Sequence, residues 1–83
     1  MEILFIYANG CPDCERMKDF LNKAIASTNK EIKVKQISSI TKEAIDTAIE
    51  HGIEDLPSCV IGDKIFQGKY FEYESMVEAI RYL

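Results

Sequence analysis

Residues 2–7, "EILFIY", form a short and nearly unbroken apolar run. A run of this length suits a strand buried on both faces, as at the centre of a parallel sheet. Asn9-Gly10 breaks it. Helical spacing takes over next: Cys14, Met17 and Leu21, with Phe20, Ala24 and Ile25 beside them, recur on one face. Pro12 fits the first helical position, where its missing N–H costs nothing, and this makes Cys11 the N-cap. The helix is predicted to end near Ser27-Thr28-Asn29. Residues 32–37, "IKVKQI", alternate apolar and polar and read as a second strand. A second helix is predicted from Lys42, with Thr41 as N-cap and Ile40 and Ile45 as a hydrophobic staple. Ala44, Ile45, Ala48 and Ile49 supply its apolar face, and Gly52 ends it as a left-handed cap.

In "LPSCVIGDKIFQG", residues 56–68, Ser58 to Ile61 and Lys64 to Gln67 read as strands. Gly62-Asp63 between them is a two-residue hairpin signal. Tyr73, Met76, Val77 and Ile80 mark the face of a last helix. Ser75 and Glu78 are placed for a capping box, with a start one turn earlier as the alternative. The order is βαβαββα. A strand–helix–strand unit implies a parallel, right-handed crossover, and the hairpin then adds two antiparallel strands. The predicted class is α/β, a four-stranded mixed sheet with flanking helices. At 83 residues without a linker or repeat, one domain over residues 1–83 is expected.

Composition narrows the function. Apolar residues make up 47% of the chain, enough to build a core, so disorder is excluded. The net charge is −4 and no Lys/Arg run follows a phosphate backbone, so no nucleic-acid partner is expected. The longest apolar run, Ile3 to Ala8, is far too short to span a bilayer, so no membrane partner is expected. "MEILFIYANG" has neither the basic start nor the small-residue cleavage site of a secretory signal, and a cytoplasmic location is expected. Three cysteines cannot all pair within one chain, so they are not a disulfide framework. In a reducing compartment a CxxC is catalytic or metal-binding more often than structural.

The pair in "NGCPDCERM" is the candidate chemistry. A cysteine at a helix N-terminus has free backbone N–H groups and the positive end of the helix dipole around it, and both favour its thiolate. Cys11 has that position, and its sulfur is within reach of the N–H of Asp13 or Cys14. Cys14 lies one turn on, turned toward the core. One exposed and one protected thiol is the asymmetry that thiol–disulfide exchange needs. The Asp13 carboxylate opposes thiolate formation and points to a more reducing couple.

These residues resemble the thioredoxin superfamily over nearly the whole chain, in its minimal form. "CPDC" is similar to the glutaredoxin loop "CPYC", and Arg16 and Lys18 resemble the basic residues that often follow it. "HGIEDLPS", residues 51–58, resembles the thioredoxin stretch in which a cis-proline faces the CxxC. "IGDKIFQG" resembles the hairpin after it. The resemblance implies a minimal thioredoxin fold with a cis Pro57. It implies that the Leu56 backbone pairs with substrate, and that Pro12, Asp13, Leu56, Pro57 and Ser58 contact it. Cys11 is then the nucleophile and Cys14 the resolving thiol of a dithiol–disulfide oxidoreductase, a monomer acting on protein or small-molecule disulfides. No cofactor beyond the Cys11–Cys14 couple is implied. The electron donor is glutathione or a thioredoxin reductase. The sequence departs from glutaredoxins where glutathione binds: a lysine before the CxxC is replaced by "YANG", "TVP" by "DLP", and the double glycine and aspartate by "GKYFEYES". Glu72 and Glu74 there repel a carboxylate ligand unless Lys69 compensates.

The alternative reading is a metal or iron–sulfur carrier using the same cysteines. Cys11, Cys14, Cys59 and His51 make a Cys3His set, the right count for zinc, but the single distant partners argue against it. Cys59 reads instead as a small buried hydrophobe, and His51 as a side chain bonding the last carbonyls of its helix. Glu31, Lys33 and Lys35 read as a solvated face. Tyr7, close in sequence to the CxxC, is a candidate to line the site, and Tyr70 and Phe71 are candidates for its rim.

Overall fold

A computed structural model describes residues 1–83. The apolar run becomes β1 (Glu2–Tyr7), which lies inside the sheet. It pairs in parallel with β2 (Lys33–Ser38) on one side and antiparallel with β3 (Ser58–Ile61) on the other. β4 (Lys64–Gln67) completes the order β2-β1-β3-β4 through the predicted hairpin, with Ile61 opposite Lys64. The helices are α1 (Pro12–Thr28), α2 (Lys42–His51) and α3 (Tyr73–Arg81). This is the minimal thioredoxin α/β fold.

Successive β1 side chains face opposite ways. Ile3 and Phe5 join Cys59 and Ile61 under Met17 and Leu21 of α1 and Met76 and Ile80 of α3, the larger core. Ile6 joins Ile37 and Ala44 in a smaller cluster on the α2 side, with Leu4, Ile53 and Leu56 at its edge. A fully buried side chain of this size contributes roughly 1.5–3 kcal/mol, so the larger cluster dominates stability. The Lys30 ammonium ties the ends of α1 and α3 together by donating to the Arg81 and Leu83 carbonyls at 2.7 and 3.0 Å.

Five expectations need correction. β2 runs one residue later than predicted, and its alternation fails at Lys35-Gln36: Val34 packs on the larger core and Ile37 on the smaller. Thr41 caps α2 by accepting the Ala44 N–H, and Gly52 ends it at φ 69°, both as expected. The apolar face of α2 does not form as predicted, because only Ala44 and Thr47 are buried while Ile45 and Ile49 stay exposed. Ile40 is 86% exposed, so it staples nothing. α3 begins at Tyr73, the alternative start one turn earlier, with Glu72 as an N-cap that makes no side-chain bond, so Ser75 and Glu78 lie inside the helix and form no capping box. Lys35 is not simply solvated: it pairs with Glu43 of α2, whose hydrogen bond and charge raise its pKa.

Candidate active site

β1 delivers the chain to the start of α1, and Pro12 occupies the first helical position. Cys11 keeps the extended backbone of an N-cap (φ −106°, ψ 105°). Its carbonyl accepts the N–H groups of Cys14 and Glu15 at 3.1 and 3.2 Å. Its sulfur also accepts the Cys14 N–H, at 3.1 Å. Cys11 is half-buried, whereas Cys14 is 3% exposed and belongs to the larger core. The two sulfurs are paired, with Cα atoms 5.2 Å apart. A recess of about 250 Å³ lined by Phe5, Tyr7, Cys14, Glu15, Lys18 and Gln36 reaches the inner cysteine, so Tyr7 does line the site.

Asp13 does not face the cysteines alone. Its Oδ1 accepts from Arg16 Nη2 at 3.4 Å. The same Arg16 nitrogen donates to the Lys69 carbonyl at 2.6 Å, and the guanidinium lies over the Phe71 ring at 4.4 Å. Arg16 therefore holds the β4–α3 connection against the first turns of α1. Phe71 is buried beneath it, packed edge-on against Phe20, and is core rather than rim. Tyr70 is fully exposed, with Lys69 Nζ 5.3 Å from its ring centre.

The Leu56–Pro57 peptide is cis. β3 starts one residue later, and its first residue, Ser58, lies opposite Ile6 near the end of β1. The sheet register therefore brings Leu56, Pro57 and Ser58 to the same end of the fold as Cys11, Pro12, Asp13 and Cys14. Pro57 is buried and its carbonyl accepts the Gly68 N–H at 2.9 Å. The Ser58 hydroxyl is also buried, without a hydrogen-bond partner. The Leu56 N–H does not point free into solvent: it donates to Asp55 Oδ1 at 2.8 Å. Gln67 Oε1 fixes the loop before it by accepting the N–H groups of Glu54 and Asp55 at 2.8 and 3.1 Å. Sequence reasoning missed Asp55 and Gln67. The Gln67 bonds join residues 12 and 13 positions apart, which no local pattern reveals.

Cys59 is sealed in the core, where burial pushes its thiol up from an ordinary 9.0 to about 12. The carbonyls ending α2 are taken by backbone groups: Ala48 by the N–H of Gly52 and Ile53, Ile49 by that of Gly52. His51 makes no bond to them, against expectation. No cluster of three or more His, Cys, Asp or Glu side chains is arranged to hold a metal ion. No helix is long and apolar enough to cross a membrane.

A family model described as the thioredoxin domain matches residues 1–81. The chain belongs to the thioredoxin-domain family. No curated protein matches it. Among solved structures, a thioredoxin-like protein from Clostridium perfringens is similar with a TM-score of 0.78 at 18% identity, over 99% of this chain and 69% of that one. Thioredoxin 1 from Thermosipho africanus gives 0.70 at 17% identity, over 99% and 92% of the two chains. The glutaredoxin-like NrdH-redoxin from Escherichia coli gives 0.60 at 19%, over 94% and 93%. At these identities the likeness is one of fold. With the paired Cys11 and Cys14, this thioredoxin-domain protein has the makings of a thiol-redox role in general.

Proposed function

We propose that the chain is a dithiol–disulfide oxidoreductase that reduces protein disulfides. The observation that carries this reading is the asymmetry at the start of α1. Cys11 caps the helix with the Cys14 N–H on its sulfur, while Cys14 is buried beside it. A helix N-terminus stabilises an anion by about 0.3–1 kcal/mol at an exposed position and more where water is partly excluded. Cys11 is thus the better thiolate and the accessible one.

In the first step the Cys11 thiolate attacks one sulfur of the substrate disulfide. That S–S bond breaks, and the leaving thiolate takes a proton from water. In the second, Cys14 loses its proton and its sulfur attacks Cys11 Sγ. The mixed disulfide breaks, the second substrate thiol leaves, and the Cys11–Cys14 bond forms. Two electrons have passed from the dithiol to the substrate, and an external dithiol returns them. Pro57, with the Leu56 and Ser58 backbone, is the surface against which an extended substrate strand lies, and Pro12 and Asp13 border it.

A dithiol reductase protein suits this chain better than glutathione as donor. Glu72 and Glu74 at the start of α3 are exposed and have no cation within ion-pair distance, which opposes a ligand carrying carboxylates. The NrdH-redoxin neighbour is described as a glutaredoxin-like protein with a thioredoxin-like activity profile, and that combination is the one proposed here.

The test is dithiothreitol-driven reduction of a protein disulfide by wild type, Cys11→Ser and Cys14→Ser. Cys11→Ser is expected to abolish turnover. Pre-reduced Cys14→Ser, mixed with the substrate after the dithiothreitol is removed, is expected to stop after the first step and to retain the substrate as a mixed disulfide visible by mass. Turnover that survives Cys11→Ser sinks the proposal.

A further inference from the structure

The proline loop presents one donor and one acceptor to an extended strand, the N–H and C=O of Leu56. Only the acceptor is free: no backbone group donates to the Leu56 carbonyl, while its N–H is bonded to Asp55 Oδ1 at 2.8 Å. That carboxylate lies close over Gly68. Gly68, at φ 79°, leaves the space it fills, and a Cβ on Gly68 would lie 2.9 Å from Asp55 Oδ2. Gln67 pins the Asp55 and Glu54 N–H groups, so the loop backbone is fixed while the carboxylate covers the donor. Neither Glu54 nor Asp55 has a cationic partner, the ion pairs being Arg16–Asp13 and Lys35–Glu43.

A carboxylate is a stronger acceptor for a backbone N–H than a peptide carbonyl. An incoming strand must therefore displace Asp55 to pair with Leu56, and the displaced carboxylate loses its donor. A positively charged side chain on the substrate restores one. A small disulfide without a peptide strand never competes for the Leu56 N–H.

We infer that Asp55 is a selectivity gate on the proline loop: it occupies the Leu56 N–H until an extended peptide displaces it, and it favours peptides carrying lysine or arginine beside the disulfide. This rests on the oxidoreductase reading above. It makes Asp55 a specificity residue for the peptide around the disulfide, with no part in the sulfur chemistry.

The experiment compares wild type, Asp55→Asn and Asp55→Ala on three substrates with excess dithiol. One is hydroxyethyl disulfide. The other two are peptide disulfides of equal length, with arginine or glutamate next to the cysteine. Wild-type turnover of hydroxyethyl disulfide reports the cysteine chemistry alone; absence of turnover on all three substrates defeats the oxidoreductase reading, and the gate with it. Given that turnover, wild type is expected to prefer the arginine peptide in kcat/KM by about threefold at low salt, the scale of an exposed ion pair. Asp55→Asn keeps an acceptor on Leu56 but should erase that preference. Asp55→Ala should lower KM for the glutamate peptide by about threefold, the scale of one hydrogen bond, without changing the small-disulfide rate. Parallel changes on peptide and small disulfide, or an arginine preference that survives Asp55→Asn, overturn the gate and leave the oxidoreductase reading standing.

Discussion

Arg16 shows how much a single side chain arranges here. It meets the Asp13 carboxylate, the Lys69 carbonyl and the Phe71 ring at once. Asp13 alone places a negative charge beside the sulfur that must ionise. Arg16 offsets part of that charge, but both side chains are more than 40% exposed, so water screens the pair. The balance should still favour the proton on Cys11. Asp13→Asn is therefore expected to speed alkylation of reduced Cys11 by iodoacetamide at pH 7 by about threefold, the effect of removing one charge several ångströms away through water. Arg16→Met should slow it. In the Arg16→Met background the gain from Asp13→Asn should be larger, because nothing then counters the carboxylate. Stopped-flow alkylation resolved by cysteine measures all four rates, and equal rates for wild type and Asp13→Asn would remove Asp13 from the electrostatics of the site.

Among the elements, α2 and α3 make a useful contrast. α3 buries Met76, Val77 and Ile80. α2 buries only Ala44 and Thr47 and leaves Ile45 and Ile49 at 55% and 76% exposure. Joint replacement of Ile45 and Ile49 by lysine is expected to change unfolding free energy by less than about 0.5 kcal/mol per site, as for other surface positions. Ile80→Ala should cost about 2–5 kcal/mol. Urea titration of both variants checks this, and a large loss in the lysine variant would mean that something covers α2. The same contrast marks what could be read from sequence. The start of α1 was legible because Pro12, the N-cap Cys11 and the Cys14-Met17-Leu21 stripe are all local signals. The Gly62-Asp63 turn and the Gly52 cap were legible for the same reason. The buried side of α2 was not: two isoleucines one turn apart mark an apolar face, but which face is buried depends on what lies opposite. α2 meets the sheet where Ile6 and Ile37 provide a narrow contact. The proline loop was placed by its resemblance to a known loop, yet the bond from Leu56 to Asp55 was invisible, since "DLP" says nothing of where the carboxylate turns.

For the whole molecule, Cys59 is the natural reporter of global stability. It sits in β3 with Phe5 opposite on one side and Phe66 on the other, at 0% exposure in the larger core. Reaching it requires opening the sheet or lifting α1 and α3. With Cys11 and Cys14 oxidised, Cys59 is the one free thiol of the chain. Its folded pKa is raised from 9.0 to about 12 by burial, so the folded state keeps its proton where the unfolded state releases it. The stability this proton supports is intact below pH 9 and is lost as pH rises toward 12, at about 1.4 kcal/mol per unit within that window. Other groups titrate there too, so the comparison is with Cys59→Ala, whose baseline is lower by the cost of a small cavity. Between pH 8 and pH 10 the oxidised wild type should lose about 1.4 kcal/mol more than Cys59→Ala in urea unfolding. At pH 8 the thiol should resist alkylation until denaturant unfolds the chain. If the two proteins lose stability in parallel, or Cys59 reacts in the native state, the thiol is not sealed by the core and β3 opens without global unfolding.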